Sequence, residues 1–176
     1  CDKFTRTINE KNLKVAFCPE RTVEGDAIKE LSKNPQFVGV RDPLALRKAF
    51  SLFSAISDEA VVYTNYELAE LSKLADNVSR DIYFGVSNFF ARVSREFGSS
   101  GSHFIRNLNH NYARNRLARP SVGVGGPCLS KDYYLLRSSF KPVMEGVENL
   151  ELGREQNRTS QVSMIRSICD LRDEGF

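Results

Sequence analysis

The sequence predicts a mainly α-helical chain with one long helix, preceded by a small partial parallel α/β segment. Three observations predict it. Apolar residues recur at three- and four-residue steps from Leu71 to Phe97, the period of a helix face. Ahead of them, short apolar runs alternate with helix-spaced segments, the pattern of strand–helix–strand units. The composition, 41% apolar and 27% charged, is that of a globular protein with a core to fill.

The elements follow in order. "LKVAFC", residues 13 to 18, is an apolar run ended by Pro19 and reads as a buried strand. "GDAIKELSK", 25 to 33, reads as a short helix stopped by Asn34-Pro35. "QFVGV" (36 to 40) and "AVVYT" (60 to 64) are further strands, joined by helical spacing in "PLALRKAFSLFSAI", 43 to 56. Three strands are too few for a complete doubly wound domain, and their outer edge would be unpaired. Thr64 and Glu67 fit a capping box at the start of the long helix. Its stripe is Leu71, Leu74, Val78, Ile82, Val86, Phe89, Val93 and Phe97. That helix is about 50 Å long at the usual rise. A helix of that length in a chain of this size crosses between modules or packs against a partner. It stops at "GSSGS", 98 to 102, and residues 102 to 113 read as a shorter helix. "ARNRLARPSVGVGGPC" is loop, and "SKDYYLLRSSF" starts a helix with Ser130 as its N-cap. The last helix runs from about 143 to 172, with Val162, Ile165, Ile168 and Cys169 on one stripe. The domain division this implies is 1–64 and 65–176.

Composition excludes several function classes. The net charge is +3, and the basic residues are scattered apart from Arg114, Arg116 and Arg119. That local cluster is a phosphate contact or a solvated loop; it is too small for a nucleic-acid face. No apolar run reaches membrane-spanning length, and residues 1 to 15 are too polar for a signal peptide. The four cysteines, Cys1, Cys18, Cys128 and Cys169, lack metal-ligand spacing and fit a reduced, cytoplasmic setting. His103 and His110 have no partner spaced for a metal and read as surface or loop residues.

Four groups carry candidate chemistry. Cys128 lies in "GVGGPCLSKD", just ahead of a helix start, with Lys131 three residues on. Free backbone N–H groups, the helix dipole and the ammonium all favour a thiolate. The plain alternative is a buried, inert cysteine. Gly123, Gly125 and Gly126 do not form a dinucleotide fingerprint, because Cys128 takes the last glycine position and no strand precedes them. A phosphate-binding P-loop fails on the spacing to Lys131. Lys73 and Asn77 stand four residues apart on one face of the long helix. They can aim an ammonium and an amide at one oxygen, or simply line a solvated face. Glu20 and Glu24 follow the first strand, where α/β sheets bind ligands. They suit acid/base work, though Glu24 also suits the N-terminus of the next helix.

Taken in order, "CPERTVEG", "AELSKLADN" and "GVGGPCLSKD" resemble the nucleotide-sugar dehydrogenase family, the UDP-glucose/GDP-mannose dehydrogenases and their relatives. "CPER", "NVSRD" and the Arg114 loop are most similar to the UDP-N-acetyl-mannosamine or -glucosamine branch, and "LGREQN" (152 to 157) to the segment after the catalytic loop. The resemblance implies oxidation of a UDP-sugar C6 alcohol to a uronate in two steps with NAD. It implies that Cys128 attacks the intermediate aldehyde and that Glu20 activates water to release the thioester. By the same resemblance Lys73 stabilises the oxyanion, and Asn77 and Asp132 position water and substrate. Glu24 and Gly125 would shape the substrate site, Arg114 would reach the neighbouring subunit's substrate, and Lys131 would face the nicotinamide. Residues 1–64 would be the end of a Rossmann-type NAD domain, and 65–176 the central helical dimerisation domain with the catalytic cysteine loop. "VGVRD" departs from the family's double glycine, and no NAD fingerprint is present. The alternative function is a non-catalytic dimerisation module that retains the motifs. On either reading the partner is a second copy of the chain.

Overall fold

The computed structural model describes residues 7, 10–11, 13–57, 59–114, 116–139 and 146–173. Cys1 and the beginning of the last expected helix, about residue 143, lie outside them. The chain divides into two compact units, Cys1–Lys73 and Leu74–Phe176.

The first unit holds β1 (Ala16–Phe17), α1 (Ala27–Lys33), β2 (Gln36–Val40), α2 (Pro43–Phe53), β3 (Ala60–Tyr63) and the first turns of α3 (Tyr66–Glu96). The sheet order is β1-β2-β3. β2 and β3 form the expected parallel pair, with Gln36 opposite Ala60 and Gly39 opposite Tyr63. β1 corrects the expectation: it pairs antiparallel, Ala16 opposite Val40, so the sheet is mixed. The two connections explain the difference. α2 buries Ala45 and Ala49 against Val38 and Val40 and so serves as a packed crossover. α1 buries no residue and covers no sheet face. β1 is also shorter than the six-residue run expected, because Pro19 and the turn beyond it end the pairing.

Asp42 caps α2, accepting from Leu44 N at 2.9 Å and Ala45 N at 3.0 Å, with Pro43 in the first turn. α3 is capped by Asn65, whose Oδ1 accepts from Leu68 N at 2.9 Å. The expected Thr64–Glu67 box does not form. Glu67 instead takes the Arg41 guanidinium at 2.5 Å. Gly39 is required where β2 passes the start of α3. A Cβ there would lie 2.8 Å from both Ala69 Cβ and Asn65 O.

The second unit contains the rest of α3, then α4 (Gly101–Leu108), α5 (Gly126–Ser139) and α6 (Glu148–Asp173). Its core gathers Val78, Tyr133 and Val147, with Ile82, Leu136 and Leu150 packed around them. α3 and α6 touch backbone to backbone: a Cβ on Gly85 would stand 2.6 Å from Gly153 O, and one on Gly153 2.7 Å from Ile82 Cα. The long helix ends at Glu96, and Phe97 stands outside it, 84% exposed. α4 is shorter than expected. Asn109 turns its side chain to Leu117, and Asn111 adopts a left-handed φ of 54°. α5 starts at Gly126, four residues ahead of the expected cap. Pro127 suits the first turn of a helix, and Ser130 Oγ donates back to Gly126 O at 2.6 Å, so Ser130 is no cap. The expected stripe on α6 is exposed at Val162, Ile165, Ile168 and Cys169.

Candidate active site

In the second unit, Cys128 lies within the first turn of α5, not ahead of it, and its side chain is exposed. Amides of that turn lack intrahelical acceptors, so the position remains one that stabilises an anion. Lys131 stands one turn further on. Asp132 is buried (2% exposed), and its carboxylate joins two other candidate residues. Oδ2 accepts from Asn77 Nδ2 at 2.5 Å, and Oδ1 accepts from Lys131 Nζ at 2.5 Å. Asn77, itself buried, comes from α3. The Asp132 hydrogen bond and charge hold the Lys131 ammonium above its ordinary range, with a further contribution from Cys128. This unit therefore places a carboxylate, an amide and a cation beside an exposed thiol.

In the first unit, Lys73 reaches back from α3 and donates from Nζ to the backbone carbonyl of Glu20 at 2.5 Å. Glu20 Oε1 accepts from Thr22 N. Burial pushes the Glu20 carboxyl up, but the Thr22 hydrogen bonds and the Lys73 charge outweigh it and leave Glu20 below its ordinary range. Glu20 is therefore a surface carboxylate, ionised at neutral pH. Burial pushes the Cys18 thiol up. Glu24 and Arg114 are exposed. Gly125 is half-buried, and a Cβ on it would be 3.9 Å from Arg154 Nη1.

Arg154 belongs to a network that sequence reasoning did not assign. Its Nη2 donates to Val124 O at 2.6 Å, and its Nη1 to Asp81 Oδ1 at 2.9 Å. Asn157 Nδ2 donates to Asp81 O at 2.8 Å and to Asp81 Oδ1 at 2.7 Å. Asn88 grips both backbone groups of Ser121 at 2.9 Å and donates to Asn157 Oδ1 at 2.9 Å. Ser87 Oγ donates to Ala118 O. The stretch leading to Cys128 is thus tied to α3 and α6 by buried side chains. Burial pushes the Asp81 carboxyl up, while Arg154 and Asn157 oppose the shift. A signal was available: Asn77, Asp81 and Asn88 recur at helical steps beside an apolar stripe, and Asp81 lies inside the quoted "NVSRD".

Among the described residues, no group of three His, Cys, Asp or Glu side chains could hold a metal ion, and no helix is long and apolar enough to cross a membrane.

The model of the UDP-glucose/GDP-mannose dehydrogenase family, central domain, matches residues 67–159. The chain belongs to this family. The match includes Lys73, Asn77, Arg114, Gly125, Cys128, Lys131 and Asp132, and also Asp81, Arg154 and Asn157. Glu20 and Glu24 precede it. A UDP-N-acetyl-D-mannosamine dehydrogenase of Methanocaldococcus jannaschii is 27% identical over 167 residues, which are 95% of this chain and 38% of that protein. Its counterpart from Pyrococcus horikoshii is 35% identical over 127 residues, 72% of this chain and 30% of that protein. A solved structure of UDP-D-ManNAc dehydrogenase from P. horikoshii superposes with a TM-score of 0.83 at 26% identity, covering 98% of this chain and 42% of that one. The chain thus spans well under half the length of these family members.

Proposed function

We propose that the protein containing this chain is an NAD-dependent nucleotide-sugar 6-dehydrogenase that oxidises a UDP-hexose or UDP-N-acetylhexosamine to its uronate. The observation that carries the reading is the exposed Cys128 beside the Asn77–Asp132–Lys131 cluster. The relatives' names support the substrate class.

The first oxidation leaves an aldehyde at C6. Cys128 Sγ adds to its carbon, and the carbonyl oxygen becomes an alkoxide. The Lys73 ammonium stabilises that charge, because a cation placed where charge develops lowers the barrier. Oxidation of the thiohemiacetal gives a thioester. Glu20 removes a proton from water as the water attacks the thioester carbon, the thiolate leaves, and the uronate is released. Asn77 and Asp132 position substrate and water, and Glu24 and Gly125 shape the substrate site. Arg114 serves the substrate of a neighbouring subunit. Bound NAD would accept the hydride of each oxidation. Lys131 fits a contact with it, since its side chain is 56% exposed and its ammonium keeps donors beyond the one given to Asp132. Residues 1–64 serve as the end of the NAD-binding domain, and 65–176 as the central domain that forms a homodimer along α3.

The test is Cys128→Ser in the full-length protein. An alkoxide leaves an ester far less readily than a thiolate leaves a thioester, so the variant should be blocked at hydrolysis and release no uronate. Uronate release at the wild-type rate by that variant would exclude covalent catalysis here. A full-length protein that dimerises but reduces no NAD with any UDP-sugar would favour the non-catalytic module.

A further inference from the structure

We propose that Arg154 is a positioning residue for Cys128: it touches no reacting atom, but it fixes the peptide that leads into the helical turn bearing the thiol. The inference rests on the function proposed above, which makes Cys128 the nucleophile. Gly123 and Gly126 both take left-handed φ values, 80° and 66°, and Gly125 stands between them. Glycine accepts backbone conformations that other residues avoid, so the Val124–Gly125 peptide can turn over at little local cost. Cys128 follows at once, because α5 begins at Gly126. The orientation of that peptide has to be selected from outside the loop, or the thiol is presented in more than one way.

Arg154 makes that selection. Among the described residues, one side-chain hydrogen bond reaches the backbone of residues 123 to 125, and it runs from Arg154 Nη2 to Val124 O at 2.6 Å. The C=O and N–H of a trans peptide point in opposite directions, so the same bond turns the Gly125 N–H away from the guanidinium. The guanidinium is itself fixed. Its Nη1 donates to Asp81 Oδ1 at 2.9 Å, and Asn157 Nδ2 donates to that oxygen at 2.7 Å. Arg154 and Asn157 stand on α6 and Asp81 on α3, so two helices aim one arginine head at the loop. Stability alone does not call for this arrangement. Arg154 is 9% exposed and Asp81 2%. Burying such a pair costs desolvation that its attraction barely offsets, and apolar side chains of similar volume are often as stable. An apolar pair cannot, however, give the Val124 carbonyl a donor. A planar guanidinium serves the carboxylate and the carbonyl at once, where the point charge of a lysine does so poorly.

The test separates positioning from folding. Arg154→Met/Asp81→Leu replaces the buried pair by apolar side chains and removes the donor. Arg154→Lys keeps a cation for Asp81 and loses the fork. Arg158→Gln, which breaks the exposed pair with Glu155, is the control. In the full-length protein each variant is measured for its thermal midpoint, its KM, and its rates of the first oxidation and of uronate release. The rate of Cys128 alkylation by iodoacetamide at neutral pH is followed in parallel by peptide mass. The double variant should keep its midpoint, its KM and its first oxidation. Its kcat for uronate should fall about a hundredfold, the cost of misplacing a reacting group by about an ångström. Alkylation should slow about tenfold, because the thiol no longer sits against the amides of the turn. Arg154→Lys should lose about tenfold in uronate kcat, and Arg158→Gln should match the parent. Wild-type uronate release and alkylation in either folded Arg154 variant would overturn the proposal. So would an equal loss of the first oxidation, which would mark Arg154 as a support of the whole unit. If the double variant does not fold, Arg154→Lys decides by the same readouts. If the unaltered full-length protein releases no uronate, the proposed function fails, and alkylation alone decides: an unchanged Cys128 rate in the variants overturns the positioning role, and a slowed one supports it.

Discussion

At the scale of single residues, the two carboxylates proposed to serve the chemistry differ in environment, and the difference sets what each can do. Asp132 is buried and held by an amide and an ammonium, which suits a fixed acceptor. Glu20 is exposed and sits below its ordinary value of 4.5, which suits a base that stays ionised at neutral pH. A depressed carboxyl keeps its base form as pH falls, until the pH passes its folded value. Thioester hydrolysis by the full-length enzyme should therefore keep its rate from neutral pH down to below about 4.5. An acid limb at pH 6 to 7 in the pre-steady-state hydrolysis rate would assign the base to another group. Lys73→Met should lower kcat by about 10²- to 10³-fold, the usual cost of one oxyanion donor. A loss of less than threefold would remove Lys73 from that role. Cys128, Lys73, Asn77 and Glu20 could be singled out from sequence because each stands in a short motif with its own chemistry. Asp132 came only from family resemblance, since its burial and its Asn77 partner lie 55 residues apart in the chain. Arg154 was harder still, because its role depends on a carbonyl oxygen, which carries no residue-type signal.

Among the elements, helices spaced by apolar period were legible and their ends were not. Asn65, not Thr64, caps α3, because tertiary pairing of Glu67 with Arg41 removes one half of the expected box. Asn65→Ala should cost about 1 kcal/mol, read as a fall in the urea midpoint; Thr64→Ala should leave it unchanged. β1 was legible as a strand but not in direction, since direction depends on whether α1 packs on the sheet. Besides Glu20, two further carboxylates of the first unit respond to acid. The Lys14 hydrogen bond and the α2 amides hold Asp42 below its ordinary 3.8, and the amide of Glu67 together with Arg41 holds Glu67 below 4.5. Folded values below unfolded ones mean that their stabilisation is present above those ordinary values and is lost as pH falls through the folded ones. The protection of the Leu44 and Ala45 amides, measured against their intrinsic exchange rates, should fall only in that acid window. The α3–α6 contact admits no Cβ at Gly85 or Gly153. Either Gly→Ala change should destabilise the second unit by about 1–3 kcal/mol. Arg154→Met should cost about 3–5 kcal/mol by leaving Asp81 without its cation, and should free the Val124 carbonyl as well.

For the whole molecule, the exposed apolar face of α3 bears on assembly. α3 exposes Tyr83, Val86, Phe89 and Phe90, and these are the residues proposed to be covered in a homodimer. Sedimentation should show a dimer at micromolar concentration, and a monomer would remove that role. The central claim is that Cys128 carries the substrate's acyl group. Glu20→Gln in the full-length protein blocks hydrolysis without touching the nucleophile, so the thioester should accumulate. The decisive measurement is the intact mass of that variant, mixed with NAD and a UDP-N-acetylhexosamine and quenched in acid, followed by peptide mapping. The account predicts about one acyl adduct per chain, on the peptide containing Cys128. Steady release of uronate with Cys128 never modified would contradict it.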